Sequence, residues 1–179
     1  MSTGHGRTIT AVRTHLEMRA RSALRPAVPP PGEHSLERER LSGPDYRALY
    51  LAVGDAYLWR DRLVLEDDEL DAYFASPNVQ LWILRVAGDI AGYFELQRHD
   101  DGRVEIVYFG LVARYFGRGL GGWMLTRAVE EAFAFGATNL TLHTCTLDSP
   151  RALPNYLARG FVVAREEKYE VEPQSRPPA

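Results

Sequence analysis

Residues 104–135, VEIVYFGLVARYFGRGLGGWMLTRAVEEAFAF, constrain the fold more than any other part of the chain. The run 104–111 is apolar and aromatic except for Glu105, which predicts a strand buried on both faces. Gly117-Arg118-Gly119-Leu120-Gly121-Gly122 follows it. From Leu120 onward, Leu120, Met124, Ala128, Ala132 and Phe135 recur at helical spacing, with Leu125, Val129 and Phe133 beside them. The order is therefore strand, glycine turn, helix. The first N–H groups of such a helix lack internal partners, and the helix dipole favours an anion there. Glycines let a ligand approach the backbone closely. The backbone of Gly117, Arg118, Gly119, Leu120, Gly121 and Gly122 is thus a candidate phosphate cradle.

A Walker loop would end in Gly-Lys-Ser/Thr, which is absent. A dinucleotide fingerprint would place an acidic residue about 20 residues on, where Ala137 and Thr138 stand. A second motif lies downstream in 145–161, CTLDSPRALPNYLARGF. Together the two resemble the GCN5-related N-acetyltransferase (GNAT) superfamily. The family's pyrophosphate loop reads Gln/Arg-x-x-Gly-x-Gly/Ala. Gly119 and Gly121 match it, and Phe116 stands at the Gln/Arg position. The family's short helix reads Asn-x-x-Ala-x-x-x-Tyr-x-x-x-Gly-Phe. Ala152, Tyr156, Gly160 and Phe161 fall in register, with Ser149 in place of the Asn. The resemblance spans roughly residues 15–171.

The resemblance implies an α/β (α+β) fold, a mixed, mostly antiparallel twisted sheet flanked by helices, of the acyl-CoA N-acyltransferase type. It implies two parallel central strands that splay to admit pantetheine. It implies acetyl-CoA as donor, no metal, and direct transfer to a small-molecule or peptide amine. On it, backbone N–H groups around Leu111 and Val112 serve the thioester carbonyl, and Tyr156 is the general acid. Glu105 takes the amine proton through water, and Ser149 meets the pantetheine arm or caps its helix. Arg114 and Arg118 flank the glycines and are candidates for phosphate contact. Another acyl-CoA donor, or a coenzyme-binding regulatory module without turnover, are the alternatives.

The residues themselves add to this. Glu105 stands alone in the most buried strand; a buried carboxylate is costly unless paired or protonated, and desolvation raises its pKa. The other possibility for Glu105 is a partly solvated, hydrogen-bonded carboxylate near the strand start. Glu95 lies on the adjoining strand. A two-residue turn pairs 95 with 108 and sends Glu105 to the opposite face, whereas a three-residue loop pairs 95 with 107 and puts both glutamates on one face. Lysine-like amines, with pKa ~10.4, need a base more than α-amino groups at ~8. Trp59, Trp82 and Tyr57 are either core or acceptor-pocket lining, and Cys145 is strand filler.

A polar tail over 1–14, one domain over 15–171 and a disordered tail over 172–179 complete the expected organisation. A first strand is predicted near 15–19, helices over 44–56, 66–74 and 150–159, and strands over 79–86, 90–97, 139–144 and 161–171. A glycine at 110 is compatible with a bulge in the central strand. The chain has 179 residues, 45% of them apolar, and a net charge of −3 with both signs interspersed. That gives no basis for nucleic-acid or membrane binding. A single cysteine, no signal-like segment and no membrane-length apolar run predict a cytoplasmic protein of open oligomeric state. The five histidines show no metal spacing.

Overall fold

The computed structural model describes residues 8–171. In chain order the elements are β1 (Ile9–Met18), β2 (His34–Arg38), α1 (Gly43–Gly54), α2 (Asp67–Ala75), β3 (Val79–Val86) and β4 (Asp89–Arg98). These are followed by β5 (Arg103–Leu111), α3 (Leu120–Ala134), β6 (Asn139–Cys145), α4 (Ala152–Arg159) and β7 (Val162–Val171). The strands form a 7-stranded sheet in the order β2-β3-β4-β5-β6-β1-β7. Among the described residues only β5 and β6, joined through α3, pair in parallel. The mixed sheet flanked by helices agrees with the expected fold class.

Local chemistry sets the helix starts. Ser42 accepts a hydrogen bond from the Asp45 N–H, and proline stands in the first turn of α1. Glu66 and Glu69 form a reciprocal capping box at α2. The helices divide the apolar residues between two cores. Met124, Leu125, Ala128 and Val129 of α3 and Tyr156 of α4 pack on Phe94, Leu96, Val104, Ile106 and Leu142. On the opposite face, Tyr46, Leu49, Tyr50 and Val53 of α1 and Leu70 of α2 pack on Leu81, Ile83 and Tyr93. α1 and α2 cover the β3–β5 half of that face. Beyond β5 no helix of the described residues covers it, and β7 is largely exposed.

Three features depart from expectation. β1 starts at Ile9, so residues 9–14 belong to the sheet rather than to a tail. The strand lies between β6 and β7 and pairs antiparallel with both. Residues 1–7 and 172–179, where tails were expected, lie outside the described residues. β2 was not anticipated; Leu36 is its only apolar residue. The bulge in β5 is at Val107, not Gly110. Gln97 pairs with Glu105 and Leu96 with Ile106, but Glu95 pairs with Tyr108. The three-residue register therefore holds near the turn and the two-residue register beyond it. The extra residue keeps Glu95, Glu105 and Tyr108 on one face. Gly110 instead lets α1 approach, because a Cβ there would overlap Val53.

No helix among the described residues is long and apolar enough to cross a membrane.

Candidate active site

The parallel ladder between β5 and β6 is short. It joins Arg103, Val104 and Glu105 to Asn139, Leu140 and Thr141 and then ends. Beyond it the strands separate around a cavity of about 630 Å³, lined by both strands, the glycine loop and α4. The Val112 N–H donates to Ala91 O at 2.8 Å. Antiparallel ladders alternate, so the neighbouring Leu111 N–H turns away from β4 and into the gap. Leu111 thus lies where the carbonyl contact was expected. Val112 does not serve there, because its N–H is bound to Ala91.

Gly117 and Gly119 both have φ of +76°, a left-handed conformation that favours glycine. Gly119 caps α3 without any side-chain hydrogen bond, and the first turn carries no acidic residue. Its N–H groups are therefore open to an anion. Gly117, Gly119, Leu120, Gly121 and Gly122 all line the cavity. Gly122 admits α4, since a Cβ there would lie 2.8 Å from Arg159 Nη1. Arg118 departs from expectation: it is absent from the cavity lining, and its guanidinium lies over the Tyr115 ring at 5.1 Å. Arg114 sits 3.7 Å from Asp89. Phe116 is on the cavity wall.

Ser149 lines the cavity but does not cap the helix. Its Oγ accepts from the Arg151 N–H at 3.3 Å, and Arg151 holds the N-cap position of α4. Sequence reasoning missed Asn155, whose Nδ2 donates to Gly121 O at 3.3 Å and ties α4 to the glycine loop. Tyr156 follows it, 6% exposed, set edge-on to Phe109 and Phe161. Burial, and next the Asp148 charge, push its phenol well above the ordinary 10. It is a protonated group on the cavity wall at any neutral pH.

Neither glutamate lines this cavity. Glu105 lies at the zipped end of the β5–β6 pair, its side chain 21% exposed. It receives His99 Nε2 at 3.1 Å and Arg103 Nη1 at 3.4 Å, and its Oε1 is 3.9 Å from His143 Nδ1. Glu95 is fully buried in the second core. It accepts from Tyr46, from Arg62 at 3.0 Å and from Tyr73 at 3.3 Å. Burial pushes its carboxyl up, and Arg62 opposes that.

The structure adds groups that sequence reasoning did not place. His143 alternates with Leu142 along β6, which puts it on the uncovered face, and it lines both this cavity and a neighbouring one of about 410 Å³. Burial, then the charge of Arg13, push its pKa below the ordinary 6.5. Asp148 accepts from Thr144 at 2.7 Å, from the Cys145 N–H at 2.9 Å and from Trp59 Nε1 at 3.2 Å. Trp59 reaches the wall because Leu58 reverses the chain at φ +60° and Gly54 leaves room, a Cβ there overlapping the indole. Trp59 and Tyr57 therefore line the cavity, whereas Trp82 packs against the α3 core. Among the described residues no three His, Cys, Asp or Glu side chains could hold a metal ion together.

No curated protein matches the chain. Among solved structures it is similar to a GCN5-related N-acetyltransferase from Kribbella flavida, with 18% identity and a TM-score of 0.64, covering 94% of this chain and 61% of that one. The chain thus spans about three fifths of that structure's length. A GCN5-related N-acetyltransferase from Sphaerobacter thermophilus gives 18% identity and a TM-score of 0.60, over 93% of this chain and 53% of that one. An acetyltransferase from Bacillus subtilis, solved in complex with CoA, gives 20% and 0.55, over 72% and 76%. At such identities the structures speak for the fold. The acetyltransferase (GNAT) family model matches residues 45–161, which hold most of α1, all of α2, the central strands, the glycine loop and Tyr156. By that match the chain belongs to the GNAT acetyltransferase family.

Proposed function

We propose that the chain moves the acetyl group of acetyl-CoA directly to the nitrogen of a primary amine, on a small molecule or a peptide. The observation that carries this is convergence: a bare helix end, a pair of unzipped parallel strands and a buried tyrosine meet in one cavity. The loop fits a pyrophosphate, because Gly117 faces the cavity and a Cβ there would meet nothing within 4 Å. The Leu111 N–H, turned into the gap, suits the charge that develops on the thioester oxygen.

The amine nitrogen attacks the carbonyl carbon and forms the C–N bond. The C–S bond breaks, and its electron pair leaves with sulfur. The amine attacks in its neutral form, an ammonium first giving one proton to solvent; after that, one proton must leave nitrogen and one must reach sulfur. Tyr156 supplies the second. Ordinary values put a phenol at ~10 and a thiol at ~8.5, so full transfer is uphill by about 2 kcal/mol. The low-dielectric wall that raises Tyr156 raises the thiol too, and the proton need only be in flight as the C–S bond breaks.

The first proton goes to His143, which lines the cavity and is neutral at neutral pH. Glu105, 3.9 Å behind it, steadies the imidazolium that forms, a positioning role in place of the direct base expected from the sequence. Because the histidine's pKa is lowered, its neutral form persists below pH 6.5, and the acidic limb of kcat against pH belongs below that value. His143→Gln should lower kcat by about 10²-fold and remove that limb; a limb that survives would assign it to another group. The function itself is tested by incubating the protein with acetyl-CoA and primary amines. Acetylated amine with an equal yield of free thiol is expected. Coenzyme binding without thiol release from any amine would instead mark a regulatory module.

A further inference from the structure

Granted acetyl transfer in this cavity, on which the inference rests, we infer that its acceptor is a compact primary amine, cationic in solution, on an aromatic or alkyl body that carries no carboxylate. The wall beside the reaction gap is aromatic. Tyr50, Tyr57, Trp59 and Tyr108 all line the cavity. Ring centroids are 5.0 Å apart for Trp59 and Tyr108, 5.1 Å for Tyr50 and Tyr108, and 6.4 Å for Tyr57 and Trp59. Such rings accept an apolar body by burial and an ammonium through their negative faces.

The charges around this wall point the same way. Arg13 is paired with Glu167 at 3.1 Å, and Arg60 with Asp55 at 3.1 Å. Arg62, over the Tyr108 ring at 5.3 Å, is held by the buried Glu95 at 3.0 Å. Arg151, which also lines the cavity, has no carboxylate partner among the described residues; it is the N-cap residue of α4, the helix that Asn155 ties to the glycine loop. His143 is held neutral. The wall's carboxylates, by contrast, have no cation of their own among the described residues. Asp61 accepts from the Tyr108 hydroxyl at 3.3 Å, and Asp148 from the Trp59 indole at 3.2 Å. Each aromatic hydrogen bond thus leaves an unneutralised carboxylate on the cavity wall. An ammonium is drawn there, and a carboxylate beside the amine is repelled.

The test uses three ligands of one skeleton: phenethylamine, phenylalanine and phenethyl alcohol. Each is titrated calorimetrically into the protein saturated with CoA, whose own Kd is measured first. Phenethylamine should bind at least tenfold more tightly than the other two. Asp61→Asn keeps an acceptor for Tyr108 and lies on the surface, so the fold should survive. It should weaken phenethylamine about three- to tenfold and leave phenethyl alcohol and CoA unchanged. If CoA binds and phenylalanine matches phenethylamine, or Asp61→Asn changes nothing, the acceptor inference falls while acetyl transfer stands. If CoA does not bind, both fall.

Discussion

Tyr156→Phe should lower kcat by about 10²- to 10⁴-fold while acetyl-CoA affinity stays within about twofold. The ring is packed between Phe109 and Phe161, and phenylalanine fills the same space. Among the described residues the phenol makes no hydrogen bond whose loss would disturb the fold, so the melting temperature should hardly move. What disappears is a proton held on the wall where sulfur departs. Single-turnover thiol release, measured beside coenzyme binding, separates the two effects. Unchanged turnover would place the acid elsewhere.

The largest effect on stability is expected at Arg62. Its guanidinium donates to Glu95, which is fully buried, and lies over the rings of Tyr73 at 4.1 Å and Tyr108 at 5.3 Å. Arg62→Met leaves that carboxylate uncompensated, at a cost of about 3–5 kcal/mol. For a chain of this size that is a fall of roughly 10 °C in melting temperature. The sign with pH is fixed by Glu95. Its folded pKa is raised above 4.5, so the stability present below 4.5 is lost as pH rises through the folded value. Arg62 limits that loss, so the variant should be hurt more at pH 7.5 than at pH 5. Adding Glu95→Gln to Arg62→Met should restore most of the stability. A double variant no more stable than the single one would mean that Arg62 acts through its packing on the tyrosines. Because Arg62 also backs Tyr108, the same network helps set the acceptor wall.

The glycine loop, α3 and the Tyr156 helix are legible in the sequence because each is a local pattern, a turn chemistry followed by helical spacing. β1 is not. Its early inward positions are Ala11 and Thr14, which show no apolar alternation, and its partners are more than a hundred residues away. Glu105 is correctly placed on the central strand, but whether it shares a face with Glu95 turned on a register that the sequence left open, and its distance from the chemistry follows from where the ladder unzips. The strands stay paired through Glu105 and part only beyond it. That point is set by the packing of β4, β5 and α3 together. The acceptor wall is equally non-local. Tyr50, Trp59 and Tyr108 meet only because Gly54 makes room for the indole and the Val107 bulge turns Tyr108 toward α1. His143 and Asp148 carry no motif of their own; alternation with Leu142 sets the face of His143, but what stands beside it on that face comes from distant parts of the chain.

The central claim is that the opening of α3 holds the diphosphate of acetyl-CoA. Calorimetric titration of the protein and of its Gly119→Glu variant with acetyl-CoA tests it most directly. Glutamate at φ +76° is strained, and its carboxylate would stand at the helix end that the phosphates need. Saturable one-to-one binding to the parent protein, weakened at least a hundredfold in a variant that still melts cooperatively, is the predicted result. No binding by the parent, or equal binding by the two, would contradict it.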